Sequence, residues 1–321
     1  MQPEPHPPID DFAVNAVLIA VRQAADVICD RSSLVLLLFA HAGVERFGDF
    51  RERSALGNRQ LISRLGALIE QEILVRLAYS RHPPRYGYHL THMGLDLFDV
   101  FATMVRWDNA WSPDGSAKGV LIEHLSCGAS PVEPQLQCGL CAEEVTARSV
   151  VEIKASHKDV ARVPPKATSY RRSSSATAAN ATERLHPLAH CFEIFGDKWS
   201  IEVLVSAFLR TRNFGDFQAQ IGISTNILSD RLTRLVHLGI LRLNTQKEAG
   251  RTGAYMLTEK GIALYPILLA IQAWADKWLR DRYRSPVRLK HRTCGQPLQL
   301  SLVCSSCGKA LQRANARITV P

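Results

Sequence analysis

Hydrophobic and polar positions in the second half of the chain alternate in a way that predicts three helices and then two strands. The stretch KWSIEVLVSAFL is apolar at near-helical spacing, and FGDFQAQIG follows as a short amphipathic segment ended by Gly222. In the next segment Leu228, Leu232 and Leu235 fall at i, i+4 and i+7 and form one core-facing stripe. Ser224 sits where an N-cap hydroxyl is wanted, and Gly239 closes the segment. ILRL and AYMLT read as short strands, joined by the polar, basic, Gly-containing loop NTQKEAGRT. Helix, helix, short turn, helix and two-stranded hairpin is the order of a winged helix-turn-helix. In that fold the second motif helix enters the major groove of DNA, while the hairpin reaches the backbone or the minor groove.

The same pattern occurs earlier in the chain. FGDF stands at 47–50 and again at 214–217, an offset of 167 that holds without a gap in both directions. Asp30 faces Asp197, Leu37 faces Leu204, and Leu61, Arg64, Leu65 and Leu68 face Leu228, Arg231, Leu232 and Leu235. Tyr88 meets Tyr255, LT at 90 with Gly94 meets LT at 257 with Gly261, and Trp107 and Trp111 meet Trp274 and Trp278. Between 28 and 111 there are about 21 identities in 84 pairs, several times the chance level for average composition. The chain is a tandem duplication, and each copy can be read against the other. The expected fold is mainly α with small β-hairpin wings: two winged helix-turn-helix domains, each followed by a short Cys/His-rich tail.

The expected boundaries follow from the repeat and from composition. A disordered N-terminus covers 1–14, the first winged helix 15–115 and its Cys/His knuckle 116–145. A flexible linker spans 146–184, where PPKATSYRRSSSATAANAT is poor in large apolar residues. The second winged helix covers 185–283, and a second knuckle and tail 284–321. No apolar run approaches the length of a membrane span, and the Pro-rich start MQPEPHPPIDD lacks the features of a signal peptide, so a cytoplasmic, nucleoid-associated protein is expected. Its eight cysteines should then be reduced, metal-bound or redox-active. The net charge of +9 and pI near 9.3 favour an anionic partner, although charge alone decides little.

CFEIFGDKWS, NFGDF, ISTNILSDRLTRLVHLGIL, YMLTEKG and the closing AWADKW together resemble the HxlR-type bacterial transcriptional regulators. The second copy matches along nearly its whole length. The first diverges, with DRSS in place of DKWS, Ala24 in place of Cys191 and Gly57 in place of Ser224. The resemblance implies a dimeric winged-helix fold pairing through the first and last helices, with the motif helix on double-stranded DNA. Two such units in one chain suggest a dimer fused into one polypeptide, an intrachain pseudo-dimer. A homodimer of four units is the alternative.

Placing the leucine stripe inward leaves Asn226, Ser229, Asp230 and Thr233 outward, with Thr225 at the exposed first turn. Asn226 can pair bidentately with adenine. At the matching position Arg59, followed by Ser63, carries a fork suited to guanine. Arg64, Arg231 and Arg234 flank the stripe and are assigned to phosphate. Lys247 and Arg251 in one wing, and Arg81, His82 and Arg85 in the other, are further phosphate or minor-groove candidates. Any amphipathic helix also shows solvated polar residues outward, so the assignment rests on the duplicated order of elements.

The repeat extends to EHLSCG at 123 and KHRTCG at 290, and then to CGLC at 138 and CSSC at 304. Each tail thus carries one imidazole and three thiols: His124, Cys127, Cys138 and Cys141, then His291, Cys294, Cys304 and Cys307. Three Cys and one His form a tetrahedral zinc set, so each tail is expected to hold one structural zinc, up to two per chain. Metal-free, redox-labile thiols are the other reading. Cys191, at a helix start beside His190, is a candidate redox thiol, against the plainer reading of a small buried residue near the dimer seam. Sequence-specific DNA-binding transcriptional regulation is the leading function. The rival is a protein-interaction adaptor with degenerate winged helices and zinc knuckles. No nucleophile elbow, phosphate-cradling Gly-rich loop or recognisable paired-carboxylate motif supports an enzyme.

Overall fold

A computed structural model describes residues 23–112, 119–153, 187–244, 253–279 and 288–321. The expected disordered start at 1–14 lies outside them. In the first half, helix α1 (23–28) leads to α2 (Arg31–His41), α3 (Phe47–Ser54) and α4 (Asn58–Glu70). The hairpin β1 (Leu74–Arg81) and β2 (Pro84–Leu90) follows, then the short α5 (His92–Leu95) and the long α6 (Phe98–Trp111). The tail adds β3 (Leu121–His124), β4 (Pro134–Cys138) and β5 (Val150–Ile153). The second half repeats this as α7 (Ala189–Phe195), α8 (Lys198–Phe208), α9 (Phe214–Ile221), α10 (Thr225–His237), the hairpin β6 (Leu241–Asn244) and β7 (Ala254–Leu257), α11 (Glu259–Ile262) and α12 (Tyr265–Trp278). Its tail adds β8 (Arg288–His291), β9 (Leu300–Cys304) and β10 (Ala316–Thr319).

The duplicated residues have duplicated structural jobs. Asp30 and Asp197 cap α2 and α8, accepting from the Ser33 and Ser200 backbone N–H at 3.0 and 2.8 Å. The second Phe of each FGDF is fully buried and meets the shared tyrosine of its wing edge-on, Phe50 against Tyr88 and Phe217 against Tyr255, both at 6.3 Å. The LT and Gly signature clamps the wing to the next helix. Thr91 and Thr258 donate to the carbonyls of Glu72 and Gly239 at 2.6 Å, and each accepts from the following glycine's N–H. A Cβ on Gly94 would lie 2.3 Å from the Ile73 carbonyl oxygen, and one on Gly261 2.2 Å from that of Ile240, so only glycine fits there. The two leucine stripes are buried as expected.

The halves pack against each other through contacts that exchange at the repeat offset. Helix α6 lies on α12, and α2 on α7. The indole N–H of Trp107 donates to the Lys260 carbonyl at 3.1 Å, and that of Trp274 to the Met93 carbonyl at 2.9 Å. Residue 274 is the repeat of 107 and residue 93 the repeat of 260, so this is one contact made twice, the signature of an approximate two-fold axis. The tails interleave rather than forming separate knuckles over 116–145 and 284–321. Strand β3 pairs antiparallel with β10, β5 with β8, and β4 with β9, each pair taking one strand from each half. Leu136 faces its own repeat, Leu302, in the central pair, so the axis passes there. Residues 146–153, expected to begin the linker, instead form a turn and β5. The pairing with β8 supplies backbone partners that composition cannot reveal. The rest of the expected linker up to 184 lies outside the described residues.

Candidate nucleic-acid interface and Cys/His clusters

Both motif helices begin from an extended residue, Gly57 or Ser224, and present a continuous polar face. Thr225, Asn226, Ser229, Asp230 and Thr233 are exposed on α10, as are Arg59, Ile62 and Ser63 on α4. Ile62 is 61% exposed, an apolar group on a face that otherwise offers hydrogen bonds. Ser224 occupies the N-cap position, but its side chain makes no capping bond. The Thr225 hydroxyl instead accepts from the Gln218 amide at 2.9 Å, which ties the start of α10 to α9.

The flanking arginines, assigned to phosphate by their spacing, make half-buried ion pairs within the protein. Arg231 places Nε 2.7 Å from Asp197 Oδ2 and Nη2 3.0 Å from Oδ1, a two-toothed grip on the residue that caps α8, and it also bonds Asp230. Partial burial works against its charge, but the Asp197 carboxylate outweighs this and holds its pKa above the usual value. Arg64 pairs with Asp30 at 3.2 Å in the equivalent place, and Arg234 with Glu193 at 3.2 Å. Spacing put these side chains on the flank of the stripe. It could not say that a helix-capping Asp waits there.

The first wing carries Arg81, His82 and Arg85 exposed at its tip, while Lys247 and Arg251 of the second wing lie outside the described residues. The first wing's face carries a further group that spacing does not single out. The Arg76 guanidinium lies 3.8 Å over the Tyr86 ring, Arg46 lies 5.4 Å over Tyr79, and both tyrosines are exposed. The available signal was a strand-length run, LVRLAYSR, that sets Arg and Tyr side chains on a mostly exposed hairpin.

The cysteine tails form two clusters, but not the two expected. His124 and Cys127 of the first tail come together with Cys304 and Cys307 of the second, and Cys138 and Cys141 of the first with His291 and Cys294 of the second. In each set the four ligand atoms lie within 4.8 Å of one another, so both can hold a metal ion. His124 Nδ1 lies 3.2 Å from Cys127 Sγ and 3.4 Å from Cys307 Sγ, and the Cys127 and Cys304 sulfurs are 3.9 Å apart. His291 Nδ1 lies 3.2 Å from Cys141 Sγ and 3.5 Å from Cys294 Sγ, with Cys138 and Cys294 at 3.9 Å. A tetrahedral zinc with ordinary bond lengths sets its S–S edge at about 3.8 Å and its N–S edge at about 3.6 Å. Burial works against ionising Cys304, but backbone N–H groups of the C-x2-C turn and His124 pull its thiol down to about 7. Cys138 is lowered for similar backbone reasons despite burial. All eight cysteines are free.

Cys191 does not have the environment of a reactive thiol. It is fully buried where α7 meets α6, its N–H donating to Asp108 at 3.0 Å and its S–H to the Met104 carbonyl at 3.7 Å. Burial, aided by the Asp108 charge, pushes its pKa well above the ordinary thiol value. The plainer reading, a small residue packing at the seam between halves, fits this environment.

Two units, each built on a three-helix motif core with a hairpin wing and an exposed polar motif helix, define a tandem winged helix-turn-helix protein of the DNA-binding class. The chain matches the HxlR-like helix-turn-helix family over residues 27–116 and 194–283 and belongs to that family. It is similar to an uncharacterized HTH-type transcriptional regulator of Mycobacterium bovis, with 34% identity over 131 residues covering 41% of this chain and 82% of that protein. One from Synechocystis is 32% identical over 111 residues, covering 33% and 82%. Among solved structures, a candidate transcription factor is 35% identical with a TM-score of 0.38, covering 41% of this chain and 93% of its own. Among the described residues no helix is long and apolar enough to cross a membrane.

Proposed function

We propose that this DNA-binding regulator is sequence-specific and that its two winged helices act as an intrachain pseudo-dimer on one asymmetric operator in the nucleoid. The supporting observation is that the two motif helices carry different exposed faces on units whose mutual contacts exchange at the repeat offset. Asn226 and Ser229 face outward on α10, where Arg59 and Ile62 do on α4. Asn226 favours adenine, Arg59 favours guanine, and Ile62 suits the methyl group of thymine. The half-sites then form an imperfect palindrome. Each bidentate contact contributes about 1 to 3 kcal/mol of discrimination. Selection from a random duplex pool, with the parent, Asn226→Ala and Arg59→Ala, should yield an asymmetric site with one arm relaxed by each substitution. A symmetric site that neither substitution alters refutes the reading.

The two Cys/His clusters serve this architecture as structural zinc sites. The ligand set supports that role, since three thiols and an imidazole complete a tetrahedron and leave no position for a reacting water.

A further inference from the structure

Each metal cluster draws half its ligands from either side of the linker. The His-x2-Cys of one tail meets the Cys-x2-Cys of the other, and the second cluster repeats this with the roles exchanged. Neither tail alone brings more than two donors to a site, so neither half on its own completes a tetrahedron. Around the clusters the strand pairs β3·β10 and β5·β8 also run between halves, with His124 and His291 as end residues of β3 and β8. Both imidazoles are buried, as are Cys138 and Cys304. The clusters therefore sit inside the seam between the two tails.

We propose that the two sites are crossed staples: zinc-class divalent ions that bind only when the two halves come together, and that hold the two winged helices in a fixed relation. This rests on the zinc reading above and adds to it the pairing of ligands and the consequence for assembly. A structural zinc site gives its binding free energy to whatever conformation completes it. Here that conformation is the closed pair of halves. The linker keeps the halves in one molecule, and the metals set their register. Loss of metal would leave the halves held only by the α6–α12 and α2–α7 packing and the strand pairs, and so loosen the fixed relation of the reading helices, while each winged helix keeps its own leucine core.

Pairing can be read by counting metal. In anaerobically purified protein, zinc per chain is measured by mass spectrometry for the parent and two double variants. If the sites are crossed, the parent holds two, Cys127→Ser/Cys304→Ser retains one because both residues belong to one cluster, and Cys127→Ser/Cys138→Ser retains none. Pairing within each tail gives the reverse for the two double variants and overturns the crossing while leaving zinc binding intact. A parent without metal overturns the zinc reading itself, and the staples with it. Because a serine variant can misfold, the parent is also tested with a protease site inserted in the linker between residues 165 and 175. After cleavage the halves should stay associated in zinc. Their dissociation constant should rise at least about a hundredfold once a chelator has removed the metal. Equal affinity with and without metal would overturn the staple.

Discussion

Substituting Arg231 by Gln separates a structural arginine from a DNA-contacting one, because the two roles move different observables. Arg231 grips both oxygens of Asp197 at 2.7 and 3.0 Å, with the two side chains each 20% exposed. Asp197 is also the cap of α8, bonded to the Ser200 N–H and hydroxyl. Charge-assisted hydrogen bonds contribute about 1.5 to 3 kcal/mol when well shielded, and exposed pairs less than about 1. The partial exposure here and the surviving cap place the expected loss near 2 kcal/mol. Arg64→Gln, removing a single 3.2 Å contact between side chains each 33% exposed, should cost less than half of that. Denaturant unfolding followed by tryptophan fluorescence gives these values. In parallel, affinity for a duplex is measured against salt. Removing a phosphate contact lowers the slope of log K against log salt by about 0.9, whereas removing an internal bond leaves it unchanged. An unchanged unfolding midpoint together with a slope reduced by that amount would refute the structural role and restore Arg231 to the DNA interface.

Cys191→Ser should leave the response of DNA binding to peroxide equal to the parent's, because the buried thiol is held protonated. A response abolished by the substitution, in a variant that still binds DNA, would show that the thiol becomes accessible. His41 is buried against Phe101, and burial, reinforced by Arg313, lowers its pKa to about 3 from the ordinary 6.5. The unfolded chain thus takes up a proton that the folded chain refuses. The His41 contribution is intact above about 6.5 and falls progressively as pH drops toward 3, costing about 2 kcal/mol at pH 5. In His41→Phe, which copies Phe208 of the other unit, the stability lost between pH 7 and pH 5 should be smaller than the parent's by that amount, and equal losses would exclude it.

The duplication, the order of elements in each unit and the inward leucines were legible in the amino-acid pattern. Each of these is a local pattern whose physical cause lies within about a hundred residues. The repeated FGDF, LT and Gly also had local causes: a Phe against a wing Tyr, a Thr clamp, and a glycine packed on a carbonyl. Tertiary structure alone decided what each duplicated side chain meets. Arg64 and Arg231 on the stripe's flank meet the Asp that caps α2 or α8, and Arg234 meets Glu193 of α7, carboxylates from other helices. Cys191 lost its helix-start advantage because α6 of the other half covers it. The metal ligands were all named by spacing, yet spacing could not pair them. A duplicated His-x2-Cys and a duplicated Cys-x2-Cys complete a tetrahedron equally well within a tail or across tails, and only the interleaving of strands about the two-fold axis removes that degeneracy.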